Sequence, residues 1–254
     1  PVKTEVGNEI RKAFVAEEGW QFLSLDYSQL ELRVVADLAN DKKMIEILSQ
    51  GRDIHQMTAA EVFEVKPEKV TPSMRRAAKA LNFGVIYGMS IHGFSEAAGI
   101  PRNRAKDFIK KYFEEFSGVA KYLEKTREKV ARDGFVETLF GRRRYIPEIN
   151  SSAWNLRQAA ERMAINMPIQ GTAADLAKMA MIKVYEDVVE PSSGKIKMLL
   201  QVHDELLFEV DSSILKEAAV KIKKIMEGVY KLKVPLVVEA KAGSNWGEMR
   251  VLSI

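Results

Sequence analysis

Apolar and polar positions alternate in two ways along this chain, and the order of the two patterns predicts the architecture. Trp20-Gln-Phe-Leu-Ser-Leu-Asp26 is a short apolar run of the kind a buried strand needs, and it ends on a carboxylate. Ser28-Gln-Leu-Glu31 follows with the spacing of a capping box, and Leu30, Leu32, Val34, Val35 and Leu38 continue as an apolar helix. The stretch before the strand, Pro1 to Gly19, is mixed and polar. Helical patterning then runs to about Gly171, with breaks expected near Gly51, Pro67, Thr71-Pro72, Gly99-Ile-Pro101, Gly134, Gly141, Pro147 and Pro168. From Thr172 the pattern predicts an Ala- and Met-rich helix to about Glu190-Pro191, a strand through Val202, its hairpin mate to Val210, a helix to about Tyr230 and a strand from Pro235 to Lys241.

Read in order these elements give β, α, β, β, α, β, the split βαβ arrangement of ferredoxin-like sheets, with a large helical insertion after the first strand. The fold class expected is therefore α+β, with one domain formed by residues 1–31 and 172–254 and the insertion by 32–171. In that topology the first strand lies beside the hairpin strands, so Asp26 and the hairpin meet. The hairpin matters because His203-Asp204-Glu205 interrupts the apolar runs of Leu199 to Val210. In one continuous strand Asp204 would share a face with Val202, Leu206 and Phe208, an unpaired carboxylate among apolar groups. A tight turn at His203-Asp204 removes the conflict and leaves the carboxylate at the sheet edge, where a cation could meet it. An ordinary turn aspartate is the plain alternative.

Composition narrows the chemistry. With 254 residues, 46% of them hydrophobic, the chain can bury a sizeable core, and no apolar run approaches the length that spans a bilayer, so a soluble chain without a membrane partner is expected. There is no N-terminal signal pattern. Cysteine is absent and histidine occurs only three times, which excludes disulfides and thiolate ligands and leaves oxygen to hold any metal. Two carboxylates at neighbouring strand ends suit Mg2+, with Mn2+ as a substitute, and two such ions ~3.5 to 4 Å apart would serve phosphoryl transfer. A net charge of +4 permits a polyanionic partner without requiring one. The first residue is Pro1, so the chain reads as a piece of a longer or processed protein.

The insertion supplies a second cluster. Thr71 is a good N-cap and Pro72 fits the first helical position of the stretch that runs to Gly88. On this helix Arg75, Lys79, Phe83 and Tyr87 advance by about 40° per step, while Met74, Ala78, Leu81 and Val85 cluster on another face. The distance from Arg75 to Phe83 is about 12 Å, the length of a nucleoside triphosphate. Arg75 and Lys79 could hold phosphates and Phe83 could stack near base and sugar. Basic residues four apart also occur on any solvated helix face, a reading that leaves the aromatics unexplained.

At this point the chain resembles the palm and fingers of family A (Pol I-like) DNA polymerases. Asp26-Tyr-Ser-Gln-Leu-Glu-Leu-Arg33 is similar to motif A, Arg75 to Gly88 to motif B and Gln201-Val-His-Asp-Glu-Leu206 to motif C. Gly141-Arg-Arg-Arg-Tyr-Ile-Pro147 and Asn166-Met-Pro-Ile-Gln-Gly-Thr-Ala-Ala-Asp175 extend the likeness over nearly the whole chain. The resemblance implies a primer-extending, DNA-directed enzyme of replication or repair that uses dNTPs and primer-template DNA. It makes Asp26 and Asp204 the metal-binding carboxylates, with the Tyr27 carbonyl beside them and Glu205 auxiliary. Gln29, Glu31, His55, Arg75, Lys79, Phe83 and Tyr87 are implied to meet the incoming nucleotide, Lys79 also acting in catalysis. Arg162, Asn166, Gln170 and His203 are implied to meet the duplex; a polar helix face is the plain alternative for the first three. For Arg142, Arg143 and Arg144, phosphate contact and a solvated loop remain open, and His92 receives no role.

The chain departs from the family by beginning after its Thr-Gly-Arg primer-binding motif, with no thumb or nuclease region. A full-length parent is expected to be monomeric, cytoplasmic and of bacterial or phage-like origin, with the missing segment cut away or carried on another chain. Two relatives of the reading stay in view: a single-subunit RNA polymerase, separated by Glu31 and Phe83, and a metal-dependent phosphohydrolase built on His203-Asp204. The strand-like flanks of the dipeptide argue against the second. An RNA-binding ferredoxin-like module would need stacking aromatics where this sheet carries carboxylates.

Overall fold

The structure, a computed structural model, describes residues 5–254; expectations for Pro1 to Thr4 lie outside it. Helix α1 (Glu5–Lys12) precedes strand β1 (Trp20–Tyr27). Then come α2 (Leu30–Ala39), α3 (Lys42–Ser49), α4 (Ile54–Phe63), α5 (Pro72–Ile86), α6 (Ile91–Ala98), α7 (Arg102–Glu115) and α8 (Ser117–Asp133). A short hairpin, β2 (Phe135–Glu137) with β3 (Arg143–Tyr145), leads to α9 (Trp154–Val184). The chain continues with β4 (Ile196–Val202), β5 (Glu205–Asp211), α10 (Leu215–Gly228), β6 (Val238–Gly243) and β7 (Arg250–Val251). These elements form two compact units, Pro1–Leu30 with Ala173–Lys231 and Leu236–Ile254, and Glu31–Thr172 with Leu232–Pro235.

The first unit is built on an antiparallel sheet in the order β4-β5-β1-β6-β7, the ferredoxin-like order with one short strand added. Its register sorts the side chains by face. Leu23 stands opposite Phe208 and Ala242, and Leu25 opposite Leu206 and Ala240, so one face is apolar and packs on Ala218, Ala219, Ile222 and Met226 of α10. Ser24, Asp26, Glu205, Glu239 and Lys241 fall on the other face. Period-2 alternation thus gives a strand whose one side packs on α10 and whose other side, with Phe22, Ser24 and Leu207 also buried on it, carries the charged groups at its Asp26 end.

The second unit is helical. Thr71 caps α5 by accepting the Met74 amide, Pro72 occupies the first turn, and Ala78, Leu81 and Val85 are buried, the face that periodicity predicts. Asp41 caps two helices at once: Oδ1 accepts the Met44 amide at 2.9 Å, and Oδ2 accepts those of Gly118 at 2.8 Å and Val119 at 3.3 Å. Position 118 has to be glycine for this approach, because a Cβ there would stand 2.7 Å from Asp41 Cα.

Three local expectations are corrected. Pro168 lies inside α9 and does not break it. Proline removes one ladder hydrogen bond, and burial of Ala164, Ile165, Met167 and Ile169 around it holds the helix. Helix α2 begins at Leu30, after Gln29 in the left-handed region at φ 56°, and the Ser28 amide donates to the Val237 carbonyl at 2.8 Å, so the half of the capping box in which Glu31 would take that amide is replaced. Arg143 and Arg144 belong to a strand, not to a loop: Arg143 lies in β3 and its Nε donates to Glu137 Oε1 across the hairpin at 2.8 Å.

Candidate active site

Backbone register fixes where the two aspartates stand. Asp26 is opposite Glu205 on β5 and Glu239 on β6. Strands β4 and β5 are joined by His203-Asp204 alone, with Val202 paired to Glu205 and His203 in the left-handed region at φ 57°, which allows the tight reversal. The Tyr27 amide donates to the Asp204 carbonyl at 3.2 Å, and this ties the turn to the end of β1. Ser24 Oγ donates to Glu205 Oε1 at 2.7 Å. The Tyr27 side chain points the other way, its hydroxyl donating to the Met226 carbonyl at 2.7 Å, so only its main chain faces the carboxylates. His203 is exposed and Gln29 half-buried.

The electrostatics of this edge are unbalanced. Burial, then the charges of Asp204 and Glu205, push the Asp26 carboxyl up to about 6, with Lys241 opposing. Burial raises Asp204 as well, against its own amide and His203. Asp26 Oδ1 is buried and has no hydrogen-bond partner. Among the described residues no group of three or more His, Cys, Asp or Glu forms a closed metal cage. Two crowded carboxylates with an unpartnered oxygen fit a hard divalent cation that keeps most of its positions for other oxygen ligands.

In the helical unit, α5 presents Arg75 and Lys79 exposed and Phe83 and Tyr87 half-buried. The Phe83 and Tyr87 rings are nearly parallel, 6.3 Å apart, and His55 lies 5.7 Å from Phe83. Arg75 Nε donates to Asp53 Oδ2 at 2.6 Å, while Asp53 Oδ1 caps α4 through the His55 and Gln56 amides. Burial alone would raise Asp53; Arg75 and the Gln56 amide hold it below its ordinary value. His55 is buried, and its Nδ1 is 3.0 Å from Asn82 Nδ2. The Tyr87 hydroxyl donates to Glu31 Oε2, so that carboxylate, expected to cap α2, serves α5 instead.

On α9, Arg162 and Gln170 are exposed and Asn166 is half-buried with Oδ1 lacking a partner. The Arg162 stem lies over Gly88, where a Cβ would stand 3.0 Å from its Cγ. Arg142 donates to the Gly171 carbonyl at 3.0 Å, and Arg144 Nη2 lies 3.3 Å from Met163 Sδ. His92 is exposed beside Arg102 and Glu96.

Sequence reasoning missed Asp53, Asn82, Ser24 and Lys241. Asp53 had a legible signal, an aspartate just before a helical run. Ser24 and Lys241 could have been placed by alternation once the register was known. Asn82 gave only the hint of a polar residue on the apolar side of its helix.

The model of the family described as DNA polymerase family A matches residues 1–248. The chain is 52% identical over 246 residues to the thermostable DNA polymerase I of Thermus aquaticus, covering 97% of this chain and 29% of that protein. It is 48% identical over 248 residues to DNA polymerase I of Pseudomonas aeruginosa, covering 98% of this chain and 27% of that protein. It thus spans less than a third of the length of these relatives. A solved structure, the POL domain of Pol1 from M. smegmatis in complex with DNA primer-template and dNTP, is 42% identical with a TM-score of 0.92, covering 97% of this chain and 44% of that one.

Proposed function

The chain belongs to DNA polymerase family A, and on that premise we propose that it carries the nucleotidyl-transfer site of a template-directed DNA polymerase. The sheet unit is the palm and the helical unit the fingers. The observation that supports this most directly is the register placing Asp26 beside the Asp204 turn, with Asp26 Oδ1 buried and unpartnered. Asp26, Asp204 and the Tyr27 carbonyl hold divalent cations, Mg2+ or Mn2+, with Glu205 kept in place by Ser24 as an auxiliary carboxylate. Two such ions supply, when bound, the positive charge that displacement at a phosphate needs.

The reaction joins the primer 3'-hydroxyl to the nucleotide's α-phosphate and releases pyrophosphate. Arg75 and Lys79 bind the triphosphate, and Lys79 also meets charge that develops on the leaving group. His55 is a neutral donor to a phosphate oxygen. Phe83 lies against sugar and base, Tyr87 stacks near the templating position, and Gln29 lies at the nucleotide's edge. Glu31 takes the space of a 2'-hydroxyl, and the hydrogen bond from Tyr87 holds it there. Arg162, Asn166, Gln170 and His203 meet primer-template DNA. The protein is proposed to act as a monomer in the cytoplasm. No helix among the described residues is long and apolar enough to cross a membrane.

Primer extension on a defined template tests the reading. Expected is addition of the template-matched dNTP that requires Mg2+ and discriminates against the matching ribonucleotide. Absence of Mg2+-dependent addition, or equal use of both nucleotides, overturns it.

A further inference from the structure

Asn82 sits within α5, is fully buried, and has no part in the scheme above. A buried carboxamide needs partners at both ends, and Asn82 has them. Its Oδ1 accepts from Thr58 Oγ at 3.2 Å, and its Nδ2 lies 3.0 Å from His55 Nδ1. In this orientation the Thr58 hydroxyl gives its hydrogen to Oδ1 and the amide nitrogen is the end that faces the imidazole. An amide N–H aimed at Nδ1 requires a lone pair there, so a neutral ring must carry its proton on Nε2.

We propose that Asn82 is a positioning residue that fixes the Nε2–H tautomer of His55, so that the ring donates a hydrogen bond to a nucleotide phosphate oxygen without itself being charged. The phosphate half of this inference rests on the reading of His55 as a triphosphate contact. The surroundings agree with a neutral ring. Burial pushes His55 down to about 4, Arg75 and Lys79 adding to the effect and Asp53 opposing it. A third positive charge beside Arg75 and Lys79 would be costly, whereas a neutral donor adds one directed contact to the phosphate that those cations would attract. With the other tautomer Nε2 would offer a lone pair to a phosphate oxygen and repel it. The chain Thr58–Asn82–His55 excludes that state from the far side of the ring.

Two-bond proton–nitrogen correlation spectra of the 15N-histidine-labelled chain, at about pH 7.5, read which ring nitrogen carries the proton. His92→Gln and His203→Gln identify the His55 signals. Wild type is expected to show His55 protonated at Nε2 only. In Asn82→Asp the side chain can only accept, so a proton should appear on Nδ1. In Thr58→Val the carboxamide is free to turn, and a mixture of tautomers is expected. A wild-type ring protonated at Nδ1, or an Nε2-only pattern kept in Asn82→Asp, overturns the assignment. If Asn82→Asp gives no cooperative melt, Thr58→Val carries the test and an Nε2-only pattern there overturns it. The Kd for dATP in Mg2+ separates the two halves. It should rise roughly tenfold in His55→Ala, the loss of one hydrogen bond to a charged group. An unchanged Kd beside an Nε2-protonated wild-type ring overturns the phosphate contact and leaves the tautomer assignment standing.

Discussion

Asp26 and His55 are both withdrawn from water, and their proton affinities move in opposite directions. Asp26 is pushed up to about 6 by burial and neighbouring carboxylates. His55 is pushed down to about 4 by burial, with neighbouring cations adding to it. In each region like charges are gathered together, carboxylates around Asp26 and cations around His55, and the proposed ligands of opposite sign would balance them. The means differ. Asp26 and Asp204 are placed by main-chain pairing, from the β1 register to the Tyr27–Asp204 bond. The α5 cluster is placed by side chains, with Asp53 holding Arg75 and Asn82 holding His55. Substitution should therefore separate chemistry from folding cleanly at the sheet and less cleanly at the helix.

The largest effect is expected from Asp204→Asn, which keeps the turn and removes a charge. Nucleotide addition should fall by about a thousandfold or more, several kcal/mol of transition-state stabilisation. Its melting temperature should stay level or rise, since a like-charge neighbour of Asp26 is gone. Single-turnover extension with a melting curve checks both, and near-normal extension would unseat the metal assignment.

Lys79→Ala should lower kcat/KM for dNTP by roughly 10- to 100-fold, the loss of one charge-assisted contact. Ala80→Lys, on another side of the helix, is the control and should remain within about threefold. Equal kinetics for Lys79→Ala and wild type would return this stripe to an ordinary solvated face.

At Glu31 the comparison sharpens, because one carboxylate has both a proposed selective role and an observed hydrogen bond from Tyr87. Glu31→Ala should raise ribonucleotide relative to deoxynucleotide incorporation by roughly tenfold and cost about 1 kcal/mol of stability. Tyr87→Phe removes the same bond but keeps the carboxylate, so stability should fall with a smaller change in the ratio. Single-nucleotide extension ratios measured beside melting curves distinguish the two variants. An unchanged ratio in Glu31→Ala would leave Glu31 only its structural bond.

The smallest effect concerns pH. Native Asp26 binds its proton more tightly than the unfolded chain does, so its favourable contribution is full below about pH 4 and is lost as pH rises through about 6. In EDTA, Asp26→Asn should melt at the same temperature as wild type at low pH and higher than wild type at neutral pH. Added Mg2+ should narrow the gap. A constant difference across that window would remove the carboxylate crowding from the account.

Where the sequence could be read, a short-range pattern and a long-range requirement agreed. The Leu23 and Leu25 alternation, the His203-Asp204 turn and the apolar face of Ala78, Leu81 and Val85 were all legible, and topology then brought Asp26 to the turn. Where it could not, a tertiary contact overrode a local rule. Pro168 looked like a stop, but its buried neighbours carry the helix through. Ser28 and Glu31 had capping-box spacing, but the Ser28 amide goes to the Val237 carbonyl and the Glu31 carboxylate takes the Tyr87 hydroxyl. Hairpin β2–β3 has strands of three residues, too short to show a period, and one of them is fully exposed. His55 could be matched to a triphosphate, but nothing nearby in sequence indicates its burial against Asn82, 27 positions away.

The double cap at Asp41 makes two distant helix starts open as one. Met44 in α3 and Gly118 and Val119 in α8 surrender their amides to one carboxylate across 77 positions. Local fraying at either end must release the same side chain, so protection against hydrogen exchange at these amides is shared. In Asp41→Asn one of the two acceptor oxygens becomes a donor, and only one helix can keep its cap. Exchange should then quicken at one set of amides, and in Asp41→Ala at both together. This gives the long insertion a stitch whose loosening is felt near its beginning and past its middle at the same moment.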